Sequence, residues 1–236
     1  MISSKTLIAE NGVVSGLVCP LCRSFHGTKE NQPWWQDKFR DYFRCEQCQL
    51  VFVPKSFHLS AEDEKACYDL HDNNSDDEGY RRFLTRMFDP IAARITPSGL
   101  GLDFGCGPGP VLAEMFSEAG FSIKLFDLYY ANNPDVIDVE QNSECYDFIT
   151  ATEVVEHLSD PHTVLNNLWA LLRPGGVLGL MTKQVKDHES FKNWHYIRDR
   201  THIVFFSRAT FEWLAQQTGC CVEFVGADVV LLTKTG

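Results

Sequence analysis

The apolar positions of this chain change period along its length. Phe83, Leu84, Met87, Phe88, Ile91 and Ile95 recur at the spacing of a helix face, with Pro90 placed to divide that face into two helices. Short apolar runs at 100–104, 121–126, 146–151 and 177–182 read as strands, and Asp103 and Asp127 stand at the ends of the first two. A helical pattern begins after Pro110. Asp160-Pro161 caps and opens another helix, with Val164, Leu165, Leu168, Leu171 and Leu172 on its apolar face. Ser207 caps a helix over 208–217, and runs at 221–225 and 228–232 flank Gly226-Ala227 as a closing hairpin. Nearer the N-terminus, the alternating stretch 49–53 predicts a strand that Pro54 ends. Ser60 caps a predicted helix over 60–71.

Composition narrows the class. A chain of 236 residues, 44% hydrophobic and 22% charged, suits one globular domain with a small appendage. No apolar stretch reaches the ~18 residues of a membrane-spanning helix, and the first ten residues lack the apolar core of a signal peptide. The expectation is a soluble cytoplasmic protein. The net charge is −11, and residues 61–80 hold eight acids against one lysine, as a solvated linker or helix face would. Such a balance disfavours nucleic acid as a partner, because tight binding there rests on a basic footprint.

Nine cysteines without a secretion signal point to metal ligation before disulfides. Cys19-Pro20-Leu21-Cys22 and Cys45-Glu46-Gln47-Cys48 are two Cys-x-x-Cys knuckles, with residues 23–44 between them. Together they can supply the four thiolates of a closed tetrahedral site. Structural zinc is the expected occupant, folding a piece too small for its own core. His26 is a competing ligand or an ordinary loop histidine. Between the knuckles, Trp34, Trp35, Phe39, Tyr42 and Phe43 alternate with Lys29, Lys38, Arg40 and Arg44. That mixture suits either stacking on nucleic-acid bases or the core of a ribbon docked on the next domain.

Asp103, Gly105, Gly107 and Gly109 form an Asp-x-Gly-x-Gly-x-Gly turn between a strand and a helix, where backbone can approach a ligand closely. The pattern resembles motif I of the class I S-adenosylmethionine-dependent methyltransferases. Three further stretches follow in that family's order. Asp127, 24 residues after Asp103, stands where a nucleotide-binding unit accepts ribose hydroxyls. The segment 146–158, ending in Glu153-Val154-Val155-Glu156-His157-Leu158, resembles the strand beside the methionine end of the cofactor. Pro174-Gly175-Gly176 resembles the turn before the fifth strand. A Trp194-His195-Tyr196…Asp199-Arg200-Thr201-His202…Phe206-Ser207 segment is similar to that of one methyltransferase subgroup.

The resemblance covers residues 80–236. It implies an α/β, Rossmann-like, mostly parallel seven-stranded sheet with a terminal antiparallel hairpin, here preceded by a small zinc ribbon. The expected organisation is 1–58 ribbon, 59–97 helical linker or lid, and 98–236 S-adenosylmethionine-binding domain. The implied cofactor site comprises Asp103, Gly105, Cys106, Gly107, Gly109, Asp127, Thr150, Ala151 and Glu153. The stretch 128–145 departs from the family, being short for its usual helix, third strand and adenine loop; Tyr129 or Tyr130 covers the adenine or packs in the loop. Tyr80 and His71 face the active site or serve the surface and packing.

The implied reaction is methyl transfer. An amine or thiolate acceptor needs no base, whereas a hydroxyl or carbon acceptor does, with His157, His195 and His202 as candidates. The favoured acceptor is a small molecule. Alternatives are a zinc-ribbon RNA methyltransferase, as in one group of ribosomal-RNA guanine methyltransferases, and a non-catalytic scaffold. Sugar C-methyltransferases also begin with a four-cysteine module but carry a further C-terminal domain, which is not expected here, so their substrate is not carried over.

Overall fold

The computed structural model describes residues 8–9, 12–13, 17–26, 32–70 and 76–236. The expectations placed on His71 and on the side chain of His26 lie outside the described residues. The first part of the chain forms short strands: β1 (Ile8–Ala9), β2 (Gly12–Val13), β3 (Leu17–Val18), β4 (Phe25–His26), β5 (Trp35–Gln36), β6 (Asp41–Arg44) and β7 (Val51–Phe52). Two helices follow, α1 (Ala61–Tyr68) and α2 (Glu78–Ala92). The remaining elements are β8 (Leu100–Phe104), α3 (Val111–Glu118), β9 (Ser122–Phe126), α4 (Val139–Asn142), β10 (Tyr146–Thr152), α5 (Pro161–Leu171), β11 (Leu172–Met181), α6 (His188–Lys192), β12 (Val204–Phe205), α7 (Arg208–Thr218), β13 (Cys221–Val225) and β14 (Val229–Thr233).

Six strands make the main sheet in the order β13-β14-β11-β10-β8-β9. The three pairings among β11, β10, β8 and β9 are parallel, and β14 and β13 close the other side antiparallel. Sequence order reverses between β8 and β10, so ligands are expected beyond their C-terminal ends. The seventh strand is absent among the described residues. Residues 134–137 form a 3₁₀ turn and residues 139–142 the single-turn α4, so the sheet edge stops at β9. Pro174-Gly175-Gly176 lies inside β11, where the pairing jumps from Tyr146–Leu172 to Phe148–Val177, so the turn is a bulge.

The expected division at Pro90 does not occur. α2 runs through Pro90, two residues before its end, without the bond that an N–H at this position would have given to Arg86 O. Asp77 caps its other end, accepting from Gly79 N and Tyr80 N at 2.8 and 3.2 Å. Leu84, Met87 and Ile91 are buried against the sheet. The approach requires glycine at 179, where a Cβ would stand 2.7 Å from Met87 Sδ.

The N-terminal ribbon is built into this domain at two places. Its first knuckle rests on the start of α5, through Arg23–Asp160 at 2.5 Å and His162 Nδ1–Leu21 O at 2.8 Å. Its strand β7 pairs antiparallel with β12, and Val53 N donates to Ile203 O at 2.8 Å. Tyr42, Val51 and Val53 pack with Phe191, Tyr196, Ile197, Ile203 and Phe205 in one apolar cluster, with Trp34, Trp35 and Trp194 at its margin. Of the aromatics between the knuckles, Trp34, Trp35, Tyr42 and Phe43 are therefore packed within the protein, whereas Phe25 and Phe39 are exposed.

Candidate active site

A cavity of about 910 Å³ opens at the C-terminal ends of β8, β9 and β10. At one end its lining runs through Asp103, Phe104 and the turn 105–109, then Asp127–Tyr130 and Thr152–Val154. This turn is built on glycine. Gly105 and Gly107 have φ of +77° and +66°, and a Cβ on Gly105 would meet Val154 Cγ2 at 2.4 Å. Asp127 holds the turn in place: its Oδ2 accepts from Gly107 N at 3.0 Å, and its Oδ1 from Tyr129 N and Tyr130 N at 2.8 and 3.1 Å.

Three carboxyl groups therefore line this end. Asp103 is buried, accepts from Thr150 Oγ1 at 2.8 Å, and burial pushes its pKa up to about 6. Glu153 adopts φ +53°, a left-handed conformation uncommon outside glycine, which turns its side chain toward the cavity. Its Oε1 is buried with no hydrogen-bond partner among the described residues, and burial raises its pKa too. A cationic ligand would answer both features.

At the opposite end the lining comes from several segments: Lys55 and His58 at the end of the ribbon, Tyr68 on α1, His157, and residues 199–203, while Tyr80 of α2, stacked on Phe83, stands toward Asp103 and Glu153. His157 Nδ1 lies 3.2 Å from Thr201 O, and its ring meets those of Tyr68 and His202 edge-on at 5.3 and 4.7 Å. Donation from Nδ1 to Thr201 O makes Nε2 the basic nitrogen. His202 Nδ1 lies 2.8 Å from Tyr196 O, and burial lowers its pKa from the usual 6.5. Behind them Glu156 is wholly buried, receives the Tyr196 hydroxyl, and is held neutral to higher pH by burial and by Glu153. Glu156, His157 and His202 also bring ligand-capable atoms within 4.8 Å of one another.

Of the residues singled out in the sequence, Asp103, Gly105, Cys106, Gly107, Gly109, Asp127, Glu153, His157 and His202 share this one cavity. Thr150 and Ala151 are buried in β10 and are not among its lining residues. His195 is not brought there: it is exposed, with Nε2 at 2.8 Å from Lys183 Nζ. Tyr129 and Tyr130 line the cavity and also brace α1, donating their hydroxyls to Glu64 at 3.2 Å and Asp69 at 2.6 Å. Sequence reasoning missed Tyr68, Tyr196, Glu156 and Arg40. Glu156 carried a signal in standing three residues after Glu153 beside His157, and Tyr196 in belonging to the family-like segment 194–207.

The four knuckle cysteines form a second cluster. Their sulfurs lie within 4.8 Å of one another, with Cys19–Cys48 at 3.5 Å and Cys22–Cys45 at 3.4 Å. A tetrahedron with ~2.3 Å metal–sulfur bonds has edges of about 3.8 Å, so the cluster has the dimensions of a four-thiolate site.

Comparison with known proteins places the chain among methyltransferases. A family profile described as a methyltransferase domain matches residues 74–223. The ubiquinone biosynthesis O-methyltransferase of Haemophilus ducreyi is 32% identical over 104 residues, 34% of this chain and 44% of that protein. The protein of the same name from Xanthomonas axonopodis pv. citri is 29% identical over 113 residues, 39% of this chain and 46% of that protein. The match thus spans about half the length of these curated relatives. Among solved structures, an Archaeoglobus fulgidus S-adenosylmethionine-dependent methyltransferase superposes with a TM-score of 0.53 at 16% identity, over 65% of this chain and 94% of that one. The Burkholderia thailandensis 1,6-didemethyltoxoflavin N1-methyltransferase, solved with its substrate and S-adenosylhomocysteine, gives 0.51 at 16% identity, over 82% and 99%.

Proposed function

From the premise that the chain belongs to the methyltransferase-domain family, we propose that it methylates a hydroxyl oxygen of a small molecule, with S-adenosylmethionine as donor. The observation that carries this reading is one cavity whose two ends differ in chemistry, carboxylates at the glycine turn and a histidine–tyrosine group opposite. Its volume of about 910 Å³ suits two small ligands side by side. The O-methyltransferase names of the curated relatives support an oxygen acceptor.

Asp127 is positioned to receive a ribose, and Asp103 and Glu153 to face the positive groups of the cofactor. When bound, S-adenosylmethionine supplies a methyl group already activated on a sulfonium. The chain's own tasks are alignment, exclusion of water and removal of a proton. Tyr68, Tyr80 and Phe83 wall the cavity. His157, with Nδ1 turned to Thr201 O, presents Nε2 to accept the proton of an acceptor hydroxyl, whose pKa near ~10 for a phenol makes a base necessary. The cysteine cluster serves as a structural zinc site. It has four thiolates and lies apart from the cavity, since none of its sulfurs lines that space.

The test is calorimetry with S-adenosylmethionine, followed by incubation with methyl-labelled cofactor and a panel of phenols, catechols and hydroxybenzoates, with transfer RNA and ribosomal RNA in parallel. Cofactor binding and label on a small-molecule oxygen are expected. Label on RNA alone would replace this reading with the zinc-ribbon RNA methyltransferase. Failure to bind cofactor would favour a scaffold.

A further inference from the structure

Arg40 precedes β6 in the ribbon and is almost fully enclosed, at 2% exposure. An arginine so placed ordinarily faces a carboxylate. Here the guanidinium faces main-chain carbonyls. Nη1 donates to Arg200 O at 3.1 Å and His202 O at 2.8 Å, and Nη2 to Ile197 O at 2.7 Å and Asp199 O at 2.8 Å. Nε donates to the Tyr42 hydroxyl at 2.9 Å, which in turn donates to Asp37 Oδ2 at 2.7 Å. All five N–H donors are engaged, and the charge is balanced through Tyr42 rather than by direct contact.

The segment these bonds gather is the one that walls the far end of the cavity. Asp199, Arg200, Thr201, His202 and Ile203 line it. Thr201 O and Tyr196 O are the carbonyls that meet His157 and His202. Between the short turn at 195–198 and β12 this segment has no ladder of its own; Ile203 anchors its end, accepting from Val53 N and donating to Glu156 O, and the carbonyls before it are drawn toward one cation. Lysine could not reproduce the arrangement, because an ammonium offers three donors from one point where the guanidinium offers a planar fork.

We propose that Arg40 is a positioning residue for the acceptor end of the cavity, and that through it the ribbon forms a working part of that site. The proposal rests on reading this end as the acceptor site. It assigns the ribbon a role in the orientation of His157 and His202, while leaving the cofactor end to the main sheet.

The experiment compares the full-length protein with Arg40→Met and Arg40→Lys. Calorimetry with S-adenosylmethionine serves as the control, and two readouts follow: amide hydrogen exchange over 197–203, and long-range ¹H–¹⁵N histidine spectra that report which ring nitrogen carries the proton. The expected result is cofactor affinity within about threefold of the parent, exchange over 197–203 faster by about tenfold or more in Arg40→Met and by less in Arg40→Lys, and loss of the single Nδ1–H form of His157 and His202. Parent-like exchange and histidine signals in Arg40→Met would overturn the proposal. So would loss of cofactor binding in both variants, since Arg40 would then support the whole fold. A parent protein that binds no cofactor would instead sink the methyltransferase reading, an outcome visible before any variant is made.

Discussion

The cofactor end of the cavity is made from three neighbouring strand ends of one sheet, carrying Asp103, Asp127 and Thr152–Val154. The other end, proposed for the acceptor, draws on the ribbon's exit, α1, the turn after β10 and the segment 199–203, which are far apart in sequence. The first end is held by the parallel ladder itself, with a few side-chain bonds such as Asp127 to Gly107 N. The second depends on side chains reaching across the molecule, Arg40 above all. This difference implies that the donor chemistry is fixed by the sheet and that acceptor choice is set by whatever the ribbon and α1 hold in place.

Removal of the ribbon metal should separate the two ends most sharply. Structural zinc contributes roughly 10–16 kcal/mol in small zinc domains, so its loss should disorder the knuckles. Chelation is expected to unprotect the amides of β7 and of 197–203, while those of β8 and β9 stay protected and cofactor affinity stays within about threefold. Loss of cofactor binding on chelation would show that the two ends form one cooperative unit. Total metal analysis of the untreated protein should give one zinc per chain.

Next in size is the base. His157→Gln should lower kcat toward the methylated phenol by about 10²–10⁴, with the cofactor dissociation constant unchanged. An unaltered rate would pass the role to His202 or show that the acceptor needs no base. On the other side, Asp127→Ala removes the acceptor of three backbone N–H bonds and of the proposed ribose contact. Cofactor affinity should fall by about 100-fold, equivalent to ~2.8 kcal/mol, while hydrogen exchange over 197–203 stays as in the parent.

The same contrast explains what could be read from the sequence. A glycine turn between a strand and a helix is local, so Asp103, Gly105, Gly107 and the register of Asp127 announced one wall of the cavity, and the apolar runs announced the strands. The shortness of 128–145 foretold the missing edge strand. The acceptor end is tertiary. Arg40 reaches the carbonyls of 197–202 where β7 pairs with β12, and a two-residue pairing leaves no periodic trace. His195 and His202, both in one polar aromatic stretch, looked alike, yet the 3₁₀ turn at 195–198 sends one to solvent and the other inward. Pro90 misled because α2 continues past it with Leu84, Met87 and Ile91 buried, and that packing is tertiary rather than local.

The last expected effect concerns pH and the carboxyl groups of Asp103, Glu153 and Glu156. Burial raises the pKa of Asp103 to about 6 and raises those of Glu153 and Glu156 above the ordinary 4.5. Groups so raised keep their protons in the folded state at pH values where the unfolded chain has released them. Their contribution to stability is therefore present below the ordinary carboxylate range and is lost as pH rises through the folded pKa. The ligand-free protein should lose stability from about pH 4.5 towards neutrality, by at most ~1.4 kcal/mol per pH unit for each carboxyl involved. A cation at the cofactor end favours the ionised forms of Asp103 and Glu153, so the rise in melting temperature given by S-adenosylmethionine should grow over the same interval. Glu156 lies behind the cavity against Tyr196. Glu156→Gln should therefore flatten the pH slope of the ligand-free protein and leave the growth of the cofactor shift intact, whereas Asp103→Asn should diminish that growth. If Glu156→Gln abolished it, the cofactor's charge would reach the acceptor end, and the division between the two ends would be structural but not electrostatic.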